Sequence, residues 1–184
     1  LPIVLILSFT INWKSKTSFH LFIVAVSSIF YGYWDYRFLG LLYTATVVDF
    51  FVGKKIEIES DQKSKKFYLM ISMSVNLGML FFFKYCNFFL DNLQSLGIQI
   101  PHLNVILPVG ISFYTFQTMS YTIDIYRGEL AAEKSLLNYF YCTTFFPQLV
   151  AGPIVRAGEF LPQVQKIPKT SWARIRTGVS IFLT

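Results

Sequence analysis

The stretch FYLMISMSVNLGMLFFFKYCNFFL, residues 67–90, decides the fold. As a helix rising about 1.5 Å per residue it is about 36 Å long, enough to cross a hydrocarbon core of about 30 Å with some tilt. Asn76 and Lys84 interrupt it. A helix that is apolar on all sides is one buried in a large core or in lipid, and this chain is too short for a large core. The stretch reads as a bilayer span.

Upstream of it, residues 54–66 carry five lysines and three acidic residues, which marks a solvated connector. Before that connector lie two further apolar runs, 38–53 with Asp49 near its far end, and 19–33. Trp34 and Tyr36 follow the latter as an interfacial belt, with Arg37 at the water line. Residues 1–11 read as the tail of a span rather than a signal peptide, since no basic residue precedes them and no small-residue cleavage pattern follows. Downstream, the polar loop 91–104 has no Lys or Arg and leads into 105–124, irregular at its start because of Pro108 and Gly110. The apolar run 136–146 then meets Pro147, Gly152 and Pro153, so a helix cannot continue regularly through them and a broken or re-entrant element is expected. An amphipathic basic stretch, 155–172, precedes a last apolar run that begins near Gly178 and reaches Thr184. With Leu1 rather than Met at its start, the chain reads as part of a longer protein, a single membrane domain without internal repeats. The expected fold class is all-α, polytopic, with transmembrane and broken or re-entrant helices.

Composition agrees, with 54% hydrophobic, 18% aromatic and 14% charged residues against a soluble average of roughly 45–50% apolar and about 25% charged. The formal charge of +6 rests on Lys and Arg confined mostly to connectors, which orient spans; no basic face or recognised module points to nucleic acid. Cys86 and Cys142 sit in apolar, aromatic surroundings without metal spacing and read as buried, inert thiols. No P-loop, GxGxxG, HExxH or clustered metal ligands occur, and neither a bound cofactor nor a metal is expected.

Charge also tests the topology. If every run crossed fully, the basic connectors 13–18, 54–66 and 125–136 would share one side, but the five basic residues of 152–176 would fall on the other. A dip without crossing, by either 105–124 or 136–151, would bring that last loop back to the basic side. Irregular backbone at membrane depth is tolerated only against protein or a water-filled cavity, so such a dip is where chemistry would sit.

On a helix starting near Ser112, the side chains of Gln117, Ser120, Tyr121 and Asp124 form one polar stripe. They face either a tunnel or neighbouring helices, and Thr115, Thr118 and Thr122 on the opposite face leave both readings open. Asp49, Asn76 and Lys84 each need a partner or a route to water. An Asp49–Lys84 pair is one solution; Lys84 reaching the interface beside Tyr85, with Asp49 marking the end of its span, is the other. A base for abstracting a hydroxyl proton is usually a histidine, but His20 opens an apolar run at the water line and His102 follows Pro101 in a loop, neither with a supporting carboxylate or nucleophile.

The segment Leu107-Pro-Val-Gly-Ile-Ser-Phe-Tyr-Thr-Phe-Gln117, with Tyr121-Thr-Ile-Asp-Ile-Tyr-Arg-Gly128 after it, resembles the membrane-bound O-acyltransferase family in its bacterial alginate O-acetyltransferase-like branch. Phe145-Phe-Pro-Gln-Leu-Val-Ala-Gly-Pro-Ile154, with Arg156, Glu159, Phe160, Leu161 and Pro162, is similar to the next motif of that family. Asn76-Leu-Gly and Phe83-Lys-Tyr-Cys-Asn-Phe-Phe89 form a weaker third match.

The resemblance implies a ring of transmembrane and re-entrant helices around a thin partition, in the bacterial inner (cytoplasmic) membrane. A histidine in the partition would act as base, downstream of Thr184, so that these residues alone would be inactive. The whole protein would move an acyl group, most simply acetyl, onto a hydroxyl of an exported polysaccharide. The donor would be acetyl-CoA or an acyl-carrier thioester, relayed through a periplasmic or extracellular partner protein. Ser112, Gln117, Tyr121, Asp124, Gln148 and Arg156 are then the expected cavity wall. D-alanyl transfer to teichoic acid is the alternative within the family. A transporter or flippase-like scaffold, or a non-catalytic membrane interaction module, is the alternative outside it.

Overall fold

The computed structural model describes residues 15–97, 105–149 and 155–165, together with residues 4, 7, 8, 11, 13, 103, 176–178, 180 and 181. Among the described residues the regular structure is helical, without a strand. The main elements are α1 (Lys16–Trp34), α2 (Tyr36–Ile58), α3 (Gln62–Ser95), α4 (Ile111–Arg127), α5 (Leu136–Thr144), α6 (Phe146–Leu149) and α7 (Ala157–Val164).

Short polar residues fix where most of these helices begin, because each side-chain oxygen accepts one of the first-turn N–H groups that the helix leaves unpaired. Ser15 Oγ accepts from Thr17 N at 3.2 Å, Asp35 from Arg37 N at 2.9 Å, Asp61 from Ser64 N at 3.0 Å and Ser135 Oγ from Asn138 N at 3.4 Å. The Ser64 donors hold the exposed Asp61 carboxyl below its ordinary range, and the Arg37 guanidinium does the same for Asp35. Helix α4 is bounded differently, by Gly110 and Gly128 with φ of 76° and 77°, a conformation glycine adopts without a steric penalty.

Helix α3 alone among the described helices is long and apolar enough to cross a membrane, and it contains the whole of 67–90. It buries Ser72, Asn76 and Leu80, one stripe at four-residue spacing, while Phe67, Met70, Phe81, Phe88 and Phe89 stay exposed. Small and polar residues inward with aromatics outward is the pattern of a helix packed among others in an apolar solvent.

Side-chain contacts give the relative directions of the helices. The Phe38 and Phe83 rings lie 6.2 Å apart and Lys84 Nζ lies 3.5 Å from Ser112 Oγ, which gathers the start of α2, the second half of α3 and the start of α4 at one end. Gln62 Nε2 donates to Tyr126 OH at 3.0 Å and Lys54 Nζ to the Lys134 carbonyl at 3.2 Å, gathering the end of α2, the start of α3 and the end of α4 at the other. Thus α2, α3 and α4 run alternately up and down, and Gly53 makes the α2–α4 approach possible: a Cβ there would lie 2.8 Å from Tyr121 Cε1.

Helices α5 and α6 run inward from the Lys54 end, and α7 is back at that end. α5 starts at the Lys54 end, meets α2 through Thr143 and Thr46 (3.0 Å), and passes Ser27, whose Oγ accepts from Phe146 N at 3.3 Å. α6 brings Leu149 against Gly110 at the opposite end. α7 is back beside α5 and the loop after α4, where Gln165 Nε2 donates to Glu133 at 3.4 Å and the Phe160 ring packs 5.3 Å from Phe145. The break expected at Pro147 falls at Phe145, between α5 and α6, with Pro147 in the first turn of α6, whereas Gly152 and Pro153 lie outside the described residues, as do His102 and most of the basic end of 155–172.

Candidate functional site

The structure distributes the six expected cavity residues rather than gathering them around one void. Gln117 is buried and donates its amide to the Cys142 carbonyl at 3.2 Å. Tyr121 is fully buried, its hydroxyl accepting from Glu133 N at 3.0 Å and its ring 4.3 Å from that of Tyr139. Both tie α4 to its neighbours. Asp124 is buried at 9% exposure, and among the described residues no side-chain hydrogen bond reaches its carboxylate. Its carbonyl accepts from Glu129 N and Leu130 N, closing the helix. Ser120, half-buried, donates to the Gln117 carbonyl at 2.8 Å.

Ser112 is half-buried at the opposite end of α4, beside Lys84. Gln148 is at that end too, next to Leu149, and its Oε1 is buried without a partner among the described residues. Arg156 lies at the other end of the bundle, exposed at the entry to α7. The stripe Gln117–Tyr121–Asp124 is therefore tied to neighbouring elements through its first two members, and among the described residues no side chain bonds to the Asp124 carboxylate.

Asp49 and Lys84 do not pair. Helix register sets Asp49 opposite Ser72 and Asn76, which donate to it at 2.6 and 2.8 Å, while Lys84 sits exposed with Nζ 5.6 Å from the Tyr85 ring centre. Asp49 is not at the end of its helix but in its fully buried centre. His20 opens its helix at the Lys54 end, but it is not exposed there. It is buried at 4% exposure, and its Nδ1 lies 3.0 Å from Asn138 Oδ1. Asn138 Nδ2 donates to Glu133 Oε1 at 3.2 Å; since a carboxylate only accepts, the amide oxygen faces His20 and Nδ1 of His20 is the donor. The imidazole thus ties α1 to α5. Cys142 is buried as expected and Cys86 is half-buried.

Glu133 was invisible as a structural centre in a segment that read as a connector. It accepts from Ser135 N at 3.0 Å as well as from Asn138 and Gln165, so it joins the loop after α4 to α5 and the end of α7. The Ser135-x-x-Asn138 spacing of the α5 cap was the available signal. No group of three or more metal-ligating side chains occurs among the described residues.

Two apolar grooves open at the Arg37 end. One, of about 340 Å³, is lined by Arg37, Phe38, Leu41, Phe82, Phe83, Val105 and Ile106. The other, of about 270 Å³, is lined by Phe30, Tyr31, Tyr33, Trp34 and Val109. Tyr31 OH donates to the Val109 carbonyl at 2.9 Å and Asn87 grips Val105 through both backbone groups, at 2.8 and 3.3 Å. The residues leading to the Pro108–Gly110 turn are thereby fixed from α1 and α3, and Leu149 closes on the turn from α6. What the geometry holds together is the contact between the two long sequence motifs.

No family model and no solved structure matches the chain. Among curated proteins it is 35% identical over 152 residues to the probable alginate O-acetylase AlgI of Azotobacter vinelandii, covering 78% of this chain and 30% of that protein. It is 35% identical over 150 residues to the protein of the same name from Pseudomonas aeruginosa, with 78% and 29% covered. To the peptidoglycan O-acetyltransferase of Helicobacter pylori it is 32% identical over 168 residues, with 78% and 32% covered. The chain belongs to the membrane-bound O-acyltransferase family, an acyltransferase enzyme family, in its alginate O-acetylase-like branch. It spans about three tenths of the length of these relatives.

Proposed function

We propose that the whole protein is a multi-pass O-acyltransferase of the bacterial inner membrane that transfers an acetyl group to a hydroxyl of an exported polysaccharide. The observation that carries this reading is the 30–35% identity, over most of the chain, to relatives named for O-acetylation of alginate or peptidoglycan. Helices α2 and α4 pack beside α3, and α1 beside α2, as further crossings, and α5 with α6 is the re-entrant element; the basic connector 54–66 and Arg156 then share the cytoplasmic side, as the basic residues of short loops do. The reaction breaks the acyl–thioester bond of a cytoplasmic donor, acetyl-CoA or an acyl-carrier thioester. It forms an ester on the sugar oxygen, directly or through an extracytoplasmic relay protein. The hydroxyl proton goes to a base and from it to the departing thiolate; we assign the base to a histidine outside these 184 residues, because His20 is committed to helix packing and His102 follows Pro101 in a sequence without a supporting carboxylate or nucleophile.

Bound acetyl on the exported polysaccharide is the quantity to measure, in cells carrying the full-length gene or a deletion. Loss of ester-linked acetyl on deletion, restored by the wild-type gene, is the expected result. Unchanged acetyl with loss of D-alanyl ester would move the reading to the other donor class; no change in either ester would overturn acyl transfer.

A further inference from the structure

Asp49, Ser72, Asn76, Thr118 and Thr122 meet where α2, α3 and α4 pack together, each with 0% exposure. Among the described residues no Lys, Arg or His bonds to the Asp49 carboxyl; its hydrogen-bond donors are neutral. A buried carboxylate with no counter-ion is unfavourable, so the question is where a proton would go.

The hydrogen bonds answer it. Asn76 uses both amide hydrogens, one on Asp49 Oδ2 at 2.8 Å and one on the Ser72 carbonyl at 3.0 Å, while its oxygen accepts from Thr118 Oγ1 at 3.0 Å. This fixes the amide orientation and makes Asp49 Oδ2 an acceptor. Asp49 Oδ1 instead starts a line of oxygens: Ser72 Oγ at 2.6 Å, then Thr122 Oγ1 at 3.0 Å, then the Met119 carbonyl at 3.1 Å.

We propose that this junction is a proton-binding site, in which Asp49 is carried as a neutral carboxylic acid at the head of the line Asp49–Ser72–Thr122. With the proton on Oδ1, Asp49 donates to Ser72, Ser72 to Thr122 and Thr122 to the Met119 carbonyl, so each hydrogen has an acceptor and no charge is buried. With the proton gone, Thr122 donates to Ser72 and Ser72 to Asp49, over the same heavy atoms. Uptake and release are the addition and removal of one proton at one carboxylate, and need no helix movement. Among the described residues, the titratable group facing the junction from α5 is Tyr139, fully buried and with no partner for its hydroxyl, and α3 and α4 present neutral amide and hydroxyl groups to the carboxyl.

Infrared difference spectroscopy on the full-length protein in lipid at neutral pH tests this. The carbonyl stretch of a protonated carboxyl is expected in the wild type, absent in Asp49→Asn and moved to higher frequency in Ser72→Ala. Loss of a carboxylate stretch in Asp49→Asn, with no protonated band in the wild type, would overturn the proposal. Should Asp49→Asn not accumulate, the protein carrying ¹³C-aspartate gives the same decision. A labelled acid band that moves in Ser72→Ala and in Thr122→Val supports the line, and one that moves in neither overturns it.

Discussion

Gly110 presents a bare α-carbon to the carbonyl oxygen of Leu149, so close that a Cβ on Gly110 would lie 2.1 Å from that oxygen. The two residues belong to the two long sequence motifs, and their backbones touch where α4 starts and α6 ends. A side chain would both clash with backbone and force a positive φ of 76° on a residue with a Cβ.

Gly110→Ala should therefore abolish acetyl transfer and lower the melting temperature of the full-length protein strongly. Gly128→Ala is its control: the φ is similar at 77°, but no atom lies within 4 Å of the added Cβ. That change should cost only the backbone strain, about 1 kcal/mol. Equal losses from both, measured by thermal unfolding in detergent, would mean that the close approach to Leu149 does not matter.

Gln117 and Asp124, neighbours on one stripe of α4, should separate. Gln117→Ala removes the bond to the Cys142 carbonyl and should cost about 1 kcal/mol of stability. Asp124→Asn removes a charge that no side chain among the described residues engages. It should leave stability within about 0.5 kcal/mol while lowering acetyl transfer. Normal turnover in Asp124→Asn would remove Asp124 from the cavity wall.

Much of this was legible from residues and much was not, and the dividing line is physical. Apolar length located α3, and Pro147 located the interruption of the dip, because each is a property of one segment. The partner of Asp49 was not legible, since whether Ser72 and Asn76 or Lys84 faces it depends on the axial register of two helices. The burial of His20 was not legible for the same reason. A histidine at the head of an apolar run looks solvated until Asn138, 118 positions later, arrives against it. Gln117 and Tyr121 formed a polar stripe in either reading, and only the positions of Cys142 and Glu133 showed that the stripe is packed.

His20 should prove dispensable for chemistry. Loss of a general base costs on the order of 100-fold or more in rate, whereas His20→Gln, which can still donate to Asn138, should keep turnover well inside that factor. Steady-state transfer with the variant checks this. A collapse of the rate with unchanged stability would return His20 to the list of bases.

The path of α5 to α7 fixes a labelling pattern. In a protein whose Cys86 and Cys142 are replaced by serine and alanine, single cysteines at the exposed positions Lys55 and Gln163 should react with an impermeant thiol reagent from the same side of the membrane. One at the exposed Tyr36 should react from the other. Labelling of Lys55 and Gln163 from opposite sides would mean that 136–155 crosses.

On the proposed topology, the α5–α6 element also imposes an order on biogenesis. At nine residues α5 is too short to be held across a bilayer by its own apolarity, and α6 adds only four. Its polar anchors lie on helices made earlier: Ser27 on α1, Thr46 on α2 and Gln117 on α4. The segment can settle only after those three stand side by side, so the ribosome delivers the partners before the piece that depends on them. A lesion in α1 or α2 would surface as an exposed, degradable 136–149 rather than as a missing span.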